Sequence, residues 1–389
     1  MSVGRIVFFL VFVLGIDVSL HYYIWGRLVR DTALPAPWGR VATIAFLTFA
    51  ILVPIRFVTF RIAAFSGERG LIGSLLSWTA YIWLGCLFFL FFLLVSGDAI
   101  RLFLRLTTGP VDPERRLALA RMFGGGVAAL TTALGLTSLY VGLREVAVKH
   151  IRVPLAKLPK SMSGYKIVQM TDVHVGPTIG KAFIDELVEK TNALTPDLVA
   201  ITGDLVDGSV DSLGAFVAGL SKIRAKDGIF FVTGNHEYYS GVDEWIAHLK
   251  ELGIRVLRNE RVAIRGEGGF DLAGVDDAHA KSYGHGHGMN VPGALEGRDE
   301  SRAIVLLAHQ PKAIFDAKAG KVDLQLSGHT HGGQLFPWNF FVRLDQPYVE
   351  GLYDHDGTQI YVSPGTGYWG PPMRLGTRAE ITCVTLVTI

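Results

Sequence analysis

The feature that most constrains this chain is a set of five short polar clusters between residues 172 and 331, each placed just after an apolar run. Their side chains are carboxylates, imidazoles and one amide. The clusters are Asp172-Val-His174, Gly203-Asp204 with Asp207, Gly234-Asn-His-Glu237, His309 and Gly328-His-Thr-His331. An open α/β sheet presents its ligand-binding loops at the carboxyl ends of its strands. The pattern therefore predicts an α/β domain whose strand ends bring these side chains together.

The runs that precede the clusters have the length and composition of buried strands, and helical patterns lie between them. The predicted strands are 166–170, 198–201, 229–232, 303–307, 324–326 and 380–389, and the predicted helices are 182–192 and 245–252. About 230 residues of this kind can bury one large α/β core.

The N-terminal part has a different composition, and 50% of the whole chain is hydrophobic. A membrane-spanning helix needs about 20 predominantly apolar residues. Four stretches approach that length: Ile6–Trp25, Val41–Ile55, Leu71–Gly97 and Met122–Leu143. We predict a transmembrane region of about four helices in residues 1–145, a linker at 146–163 and a catalytic domain at 164–389. A cleaved signal peptide is the alternative for the first stretch, but three further apolar stretches follow it.

Asp17 and His21 interrupt the first apolar stretch and would share one helix face. An ionisable residue at membrane depth is a candidate functional site. The structural alternative, which we favour, is a polar contact that joins two helices.

Charge is distributed unevenly along the chain. Residues 1–150 carry 14 Lys/Arg and 7 Asp/Glu, a balance of +7, and the other residues carry 23 and 28, a balance of −5. Basic residues therefore lie beside the apolar segments, as they do near anionic head groups. A negative globular part argues against a nucleic-acid partner, which calls for a basic surface. We expect a lipid bilayer as partner and no nucleic acid.

The arginines also bear on sidedness. They favour the first and third connections between the apolar stretches, which the positive-inside rule places in the cytoplasm. Arg115-Arg116 before a weakly apolar helix is similar to a degenerate twin-arginine export signal, or else an ordinary membrane flank. Both observations predict an integral, multi-pass protein of a bacterial inner or cell membrane, with its catalytic domain on the extracytoplasmic side.

The donor set of the five clusters predicts two divalent ions held side by side. Carboxylate, imidazole and amide ligands without thiolate suit hard-to-borderline cations. Asp204 can bridge both ions with one oxygen each. We assign one ion to Asp172, His174, Asp204 and His331, and the other to Asp204, Asn235, His309 and His329.

Other residues near the clusters are candidates for chemistry and substrate contact. His236 can protonate the departing alkoxide, and Asp207 can orient that imidazole. Gln334 is a candidate polar contact, and Arg374 can grip a phosphate. The cluster glycines predict tight turns with unusual backbone angles.

These motifs resemble the calcineurin-like metallophosphoesterase superfamily over about residues 160–389. They are D-x-H at 172–174, GDxxD ending at 207, GNHE at 234–237, the histidine of LLAHQP at 306–311, and LQLSGHTHGGQ at 324–334, which is most similar to a bacterial membrane-associated subgroup. The resemblance implies a four-layer αββα sandwich and a binuclear site of Mn, Fe or Zn. One departure is Gly208, where many members carry arginine.

The expected function is a membrane-anchored, metal-dependent phosphoesterase, either a phosphodiesterase or a phosphatase. A metal-bridged hydroxide would attack phosphorus, and His236 would assist the leaving group. Membrane tethering favours a lipid-linked substrate, with nucleotide-sugar phosphates as another class. The alternative is a non-catalytic membrane sensor or scaffold that binds metal without turnover.

Overall fold

The computed structural model describes residues 3–66, 71–108, 112–284 and 286–389, without the side chains of 3–7, 9, 10, 57–66 and 108. The chain divides into two compact units. The helical unit lies mainly before Tyr140, and the α/β unit consists mainly of Val141–Trp369 and Arg374–Ile389. Each is described separately.

The helical unit is built from long apolar helices. They are α1 (Val3–Trp25), α2 (Ala36–Ser66), α3 (Leu71–Thr108) and α4 (Pro113–Gly142). Ile24 of α1, Leu87 and Leu94 of α3, and Val127 of α4 pack into one buried cluster. Other large apolar side chains of these helices point outward and are exposed. That arrangement suits helices whose outer surface meets lipid rather than water.

Within the described residues, three helices are long and apolar enough to cross a bilayer: Ala36–Arg56, Leu71–Thr107 and Pro113–Gly142. The prediction of four spans is therefore corrected to three. The first residues of the predicted span at Ile6–Trp25 lie outside the described side chains.

The polar pair of α1 makes a helix–helix contact. His21 Nδ1 lies 3.4 Å from Asp17 Oδ1, and the Trp83 indole of α3 donates to His21 Nε2 at 3.0 Å. The structural interpretation of this pair is therefore supported, because the imidazole joins α1 to α3.

The α/β unit is a sandwich of two mixed six-stranded sheets. The first sheet contains, in spatial order, β1 (Ala147–Leu155), β12 (Glu380–Thr388), β2 (Tyr165–Met170), β3 (Leu198–Ile201), β4 (Ile229–Phe231) and β5 (Arg255–Val256). The second contains β10 (Gly351–His355), β11 (Thr358–Val362), β9 (Leu324–Ser327), β8 (Ile304–Leu307), β7 (Phe270–Gly274) and β6 (Glu260–Ile264). All six predicted strands are confirmed, and β12 ends one residue earlier than predicted.

Helices of the α/β unit connect the strands, and the two predicted helices are confirmed as α5 and α8. The helices are α5 (Lys181–Ala193), α6 (Val210–Val217), α7 (Asn235–Ser240), α8 (Val242–Glu251), α9 (Val291–Leu295), α10 (Ile314–Ala319) and α11 (Trp338–Val342).

Side chains alternate between the two faces of each strand, so neighbouring residues enter different cores. In β2, Ile167 packs between the sheets and Val168 packs towards α5 and α8. In β8, Val305 lies between the sheets and Ile304 packs against α9 and α10. Because both faces are covered, these strands have continuous apolar sequences.

The predicted linker at 146–163 is corrected by the structure. Residues 147–155 form β1, which pairs in parallel with β12 over its full length, from Ala147–Glu380 to Leu155–Thr388. Val153 and Leu155 are buried in the core between the sheets. Its charged residues, Lys149 and Arg152, are exposed, as expected for an edge strand.

Candidate metal centre

The five polar clusters follow the carboxyl ends of β2, β3, β4, β8 and β9. Parallel pairing joins β2, β3 and β4 in one sheet and β8 and β9 in the other, so each set of ends lies at one sheet edge. Hydrogen bonds join the two edges. Gln169 Nε2 donates to the Ser327 carbonyl at 3.0 Å, and the His329 amide donates to Asp172 Oδ1 at 2.9 Å.

One group of potential ligands comprises Asp172, His174 and His331. The Nε2 atoms of His174 and His331 are 3.1 Å apart, and His331 Nε2 is 3.5 Å from Asp172 Oδ1. His174 turns its other nitrogen, Nδ1, towards Asp207 Oδ1 at 3.2 Å. A carboxylate behind an imidazole fixes its tautomer and directs the free nitrogen towards a metal.

A second group comprises Asp204, His309 and His329. His309 Nε2 lies 3.1 Å from Asp204 Oδ2 and 3.2 Å from His329 Nδ1. His309 Nδ1 donates to the Thr202 carbonyl at 2.8 Å, which directs Nε2 towards the other ligands.

Asp204 lies between the two groups. Its Oδ2 is 3.1 Å from His309 Nε2 and 3.9 Å from His174 Nε2, while Oδ1 accepts the His236 amide at 2.8 Å. Burial opposes ionisation of Asp204, but the imidazoles of His309, His236 and His174 together outweigh it, and the pKa of Asp204 falls well below its ordinary value. This carboxylate is thus an anion placed to face two cations.

A buried atom without a partner fits the same interpretation. Among the described residues, Asn235 Oδ1 is buried and has no hydrogen-bond partner. A buried amide oxygen without a partner is destabilising by roughly 1–3 kcal/mol. Burial also lowers the pKa of His329 to about 3, so this imidazole is neutral, as a ligand must be. The donor set therefore fits two hard-to-borderline ions.

Five of the candidate ligands adopt a left-handed backbone conformation that side chains other than glycine rarely adopt. They are Asp172 (φ 52°), His174 (φ 53°), Asp204 (φ 52°), His329 (φ 73°) and His331 (φ 51°). Such residues are destabilising by about 1–3 kcal/mol each and cluster at functional sites.

The cluster glycines permit close packing of the ligand loops. Gly203 has φ +89°, and a Cβ there would lie 2.6 Å from the Gly234 amide nitrogen. Gly234 itself has φ −100°, so the predicted unusual angle is wrong at this position. Glycine is required at this position for lack of space, because a Cβ would overlap Asp204.

His236 and Asp207 form a close pair beside the candidate ligands. His236 Nδ1 lies 2.6 Å from Asp207 Oδ1, and His236 Nε2 lies 4.0 Å from Asp204 Oδ2. Burial disfavours the charged imidazole, but the two carboxylates outweigh this effect and raise the pKa of His236 to about 9. The side chain therefore carries a proton at neutral pH.

Sequence reasoning missed Glu237, which is fully enclosed in this region. Its carboxylate accepts the backbone amides of Asp204 at 2.9 Å, Leu205 at 2.8 Å and Gly234 at 2.7 Å. It therefore fixes the Asp204 turn and the start of α7 together. The available signal was the capping pattern of GNHE, in which the third residue after a helix cap bonds back to the cap.

Arg374, predicted to grip a phosphate, has 0% exposure. Its guanidinium donates to the carbonyls of Pro364 at 2.8 Å, Gly367 and His331. Arg374 is therefore a buried residue that stabilises the 364–367 turn through hydrogen bonds. Each of its three guanidinium nitrogens donates to a carbonyl oxygen, and the side chain exposes no surface that could meet a substrate.

Gln334, the other predicted substrate contact, holds a neighbouring loop. Its amide nitrogen donates to the Trp369 carbonyl at 2.9 Å, and its oxygen accepts the Trp369 amide at 3.0 Å. Trp369 is exposed and packs edge-on against His236, with 5.6 Å between ring centroids. Tyr239 packs on the same imidazole at 5.1 Å. Gln334 therefore positions an aromatic side chain at the rim of the centre.

Comparisons with known proteins show which family the chain is similar to. Residues 165–333 match the model of the calcineurin-like phosphoesterase family. The chain is 36% identical over 398 residues to a transmembrane protein with metallophosphoesterase domain from Danio rerio, covering 97% of this chain and 89% of that protein. It is 43% identical over 290 residues to a protein of the same description from Bos taurus, covering 72% of this chain and 65% of that protein.

Two further similarities are to a bacterial protein and a solved structure. An uncharacterized metallophosphoesterase of Helicobacter pylori is 42% identical over 250 residues, covering 64% of this chain and 66% of that protein. The crystal structure of a dimetal phosphatase from Danio rerio is 12% identical, with a TM-score of 0.35, and the match covers 51% of this chain and 87% of that one.

Proposed function

We propose, from the premise that this chain belongs to the calcineurin-like phosphoesterase family, that it is a membrane-anchored hydrolase of phosphate esters that uses two divalent ions. Membership of the family supports the metallophosphoesterase activity, and the apolar helices support the membrane association. The dinuclear ligand set, the proton donor and the substrate class are our proposals.

One observation carries the dinuclear assignment. Asp204 Oδ2 faces a histidine of each ligand group, at 3.1 Å from His309 and 3.9 Å from His174. We assign one ion to Asp172, His174, Asp204 and His331, and the other to Asp204, Asn235, His309 and His329. The orphaned Asn235 Oδ1 supports the second set.

When bound, such ions lower the pKa of water and stabilise the charge that develops on phosphoryl oxygens. The chain supplies the proton for the leaving group. Asp207 accepts at His236 Nδ1, which keeps the ring charged and leaves Nε2–H to donate to the departing oxygen. Asp207 also orients His174, so one carboxylate serves both residues.

Membrane anchoring favours a substrate that itself resides in the bilayer, such as a lipid-linked phosphodiester or pyrophosphate. Nucleotide-sugar phosphates are the soluble class to compare. Mn, Fe and Zn are the proposed metals, because the family resemblance implies them and oxygen and imidazole ligands are compatible with them. The GHTHGGQ string at 328–334 favours a bacterial, membrane-associated branch of the family.

We further propose that the α/β unit is extracytoplasmic and begins near Ala147. Arg121 of α4 donates to the Thr32 carbonyl at 2.9 Å, so the two arginine-rich connections lie at one end of the helical unit. The positive-inside rule assigns that end to the cytoplasm. Labelling Ser282→Cys, an exposed position, with a membrane-impermeant maleimide in intact cells tests this, since a cytoplasmic domain would not react.

The test of function is hydrolysis of bis-p-nitrophenyl phosphate by the purified full-length chain with Mn²⁺, alongside elemental analysis. We expect turnover and about two ions per chain. Failure to turn over this ester and a panel of lipid-linked and nucleotide-sugar phosphates, with two ions bound, would leave a non-catalytic metal-binding protein instead.

A further inference from the structure

Residues 336–344, the aromatic segment, expose large apolar side chains on an otherwise water-compatible unit. The segment reads Phe-Pro-Trp-Asn-Phe-Phe-Val-Arg-Leu and includes α11, in which no side chain is buried. The exposed fractions are 51% for Phe336, 48% for Trp338, 58% for Phe340, 43% for Phe341 and 85% for Leu344. A contiguous patch of this kind marks an interaction site rather than ordinary surface.

The patch is ordered by contacts among its own rings. Phe336 and Phe340 lie 5.8 Å apart between centroids, and Trp338 stacks on Phe341 at 5.2 Å. The rings therefore form one surface, and a partner would meet them together.

The aromatic segment is also fixed to the candidate metal centre. Phe336 donates its amide to the Leu375 carbonyl at 2.9 Å, and Leu335 pairs with Leu375 as a parallel bridge. Gly333 packs so closely on Asn339 that a Cβ would lie 2.5 Å from the Asn339 backbone. The segment begins five residues after the candidate ligand His331. Whatever binds the patch is therefore held near the centre.

The chemistry of the patch fits a lipid surface. Tryptophan and phenylalanine are favoured where head groups meet acyl chains, and a basic side chain complements anionic lipids. Arg343 is the one charged residue in the segment. The next residue, Asp345, is paired with Lys312 at 3.0 Å, so its charge is compensated.

The connectivity of the chain selects the bilayer over a free protein partner. The α/β unit follows the span in α4 after a connection of residues 143–146, which extends at most about 14 Å. The unit is therefore confined next to lipid at all times. A lipid partner is always present at high local concentration, whereas a soluble partner is not.

We propose that the aromatic segment inserts into the interfacial layer of the bilayer and holds the metal centre at the level of the lipid head groups. The insertion itself does not depend on turnover. Its consequence, that the substrate is a phosphoester attached to a lipid, rests on the proposed function.

Insertion is tested with spin labels on the full-length chain in lipid nanodiscs. Both native cysteines are first replaced, by Cys86→Ala and Cys383→Ala. One new cysteine, Phe340→Cys or Leu344→Cys, then carries the spin label. Phe315→Cys is the matched control, since Phe315 is an equally exposed aromatic residue on α10 (57%). We expect labels at 340 and 344 to collide more with oxygen than with a water-soluble nickel chelate, and the label at 315 to show the reverse.

Aqueous accessibility at 340 and 344 would overturn the proposal. So would dipolar broadening at 340 that disappears on dilution with unlabelled protein, because that result means contact between two copies of the chain.

A second measurement does not depend on the cysteine background. Phe340→Asp with Leu344→Asp should lower kcat/KM by about tenfold or more on a p-nitrophenyl phosphodiester of diacylglycerol in vesicles. It should leave soluble bis-p-nitrophenyl phosphate turnover unchanged, and Phe315→Asp should change neither rate. Equal losses on both substrates overturn the proposal. If the wild type hydrolyses neither ester, the proposed function fails, and the spin-label depth still decides the insertion.

Discussion

Both units of this protein bury polar side chains, but they arrange them differently. In the helical unit, a buried hydroxyl bonds one turn back along its own helix, as Ser138 does to the Leu134 carbonyl at 2.6 Å, and His21 bonds to one neighbouring helix. In the α/β unit, buried carboxylates and imidazoles converge from the ends of five strands.

This contrast separates a functional site from a structural contact. Buried polar atoms without a hydrogen-bond partner occur in both units, at Asp17 Oδ2 and Thr131 Oγ1 in the helical unit and at Asn235 Oδ1 in the α/β unit. Only in the α/β unit do carboxylates and imidazoles from several strand ends, among the described residues, face a common space. Convergence, more than burial or a missing partner, therefore marks the centre. Substitutions in the two units should reveal this contrast, with effects that decrease in the following order.

The largest effect is expected for Asp204→Asn. The amide keeps the shape but loses the charge that faces both ligand groups. We expect a loss of kcat/KM greater than the ~100-fold typical of residues behind the ligands. Elemental analysis should show fewer bound ions. Asp211→Asn, at an exposed aspartate of α6, is the control and should match the wild type. Full activity in Asp204→Asn would remove the shared-carboxylate assignment.

Glu237→Gln should have the next largest effect. Its carboxylate accepts hydrogen bonds from three backbone amides. The NH2 group of a glutamine would place two N–H donors opposite these N–H donors, and hydrogen bonds would be lost. We expect a loss of roughly 2–3 kcal/mol in the free energy of unfolding. Metal affinity should fall about 10–100-fold, measured by competition with a chelating dye.

The control for Glu237 is Glu189→Gln, at an exposed position of α5. A purely structural role would lower stability alone. Unchanged metal affinity in Glu237→Gln, at temperatures where the protein is folded, would separate the residue from the centre.

Arg374→Met tests whether a buried charge in the α/β unit can be structural. Breaking the contacts of the guanidinium with the turn carbonyls should destabilise the fold by about 3 kcal/mol, seen in denaturant unfolding. KM for bis-p-nitrophenyl phosphate should stay near the wild-type value, and Arg378→Met, at an exposed position, should change neither quantity. A large rise in KM without loss of stability would restore Arg374 as a substrate contact.

The smallest effect is expected in the helical unit. His21→Leu removes the bond to Trp83, and such bonds in membranes contribute about 0.6 kcal/mol on average. Thermal unfolding in nanodiscs should therefore shift only slightly, and phosphoesterase activity should not change. Abolished activity would mean that the polar pair of α1 serves function and would break the contrast between the units.

Much of the fold was predictable because its signals are local. Each long apolar stretch and each buried strand is encoded within a few consecutive residues, which explains why 198–201 and 324–326 were found. The edge strand β1 was missed because its charged residues and its proline are typical of a linker, and its strand partner β12 lies more than 200 positions away.

The candidate site divides in the same way. The motifs supplied the donor residues, including His236 beside Asn235. They did not reveal that Glu237 binds three amides, or that Arg374 is enclosed by carbonyls, because both depend on turns that close around them. The left-handed backbone of five candidate ligands is likewise invisible in the sequence.

Composition and periodicity along the chain specify the chemical class of the donors and the division into apolar helices and an α/β unit, because both act over short ranges. The set of donors that share a space depends on how the sheets pack. Asp172 and His329 are 157 positions apart, and packing of one sheet on the other brings the His329 amide within 2.9 Å of the carboxylate. Contacts between distant segments depend on that packing, which no local pattern records.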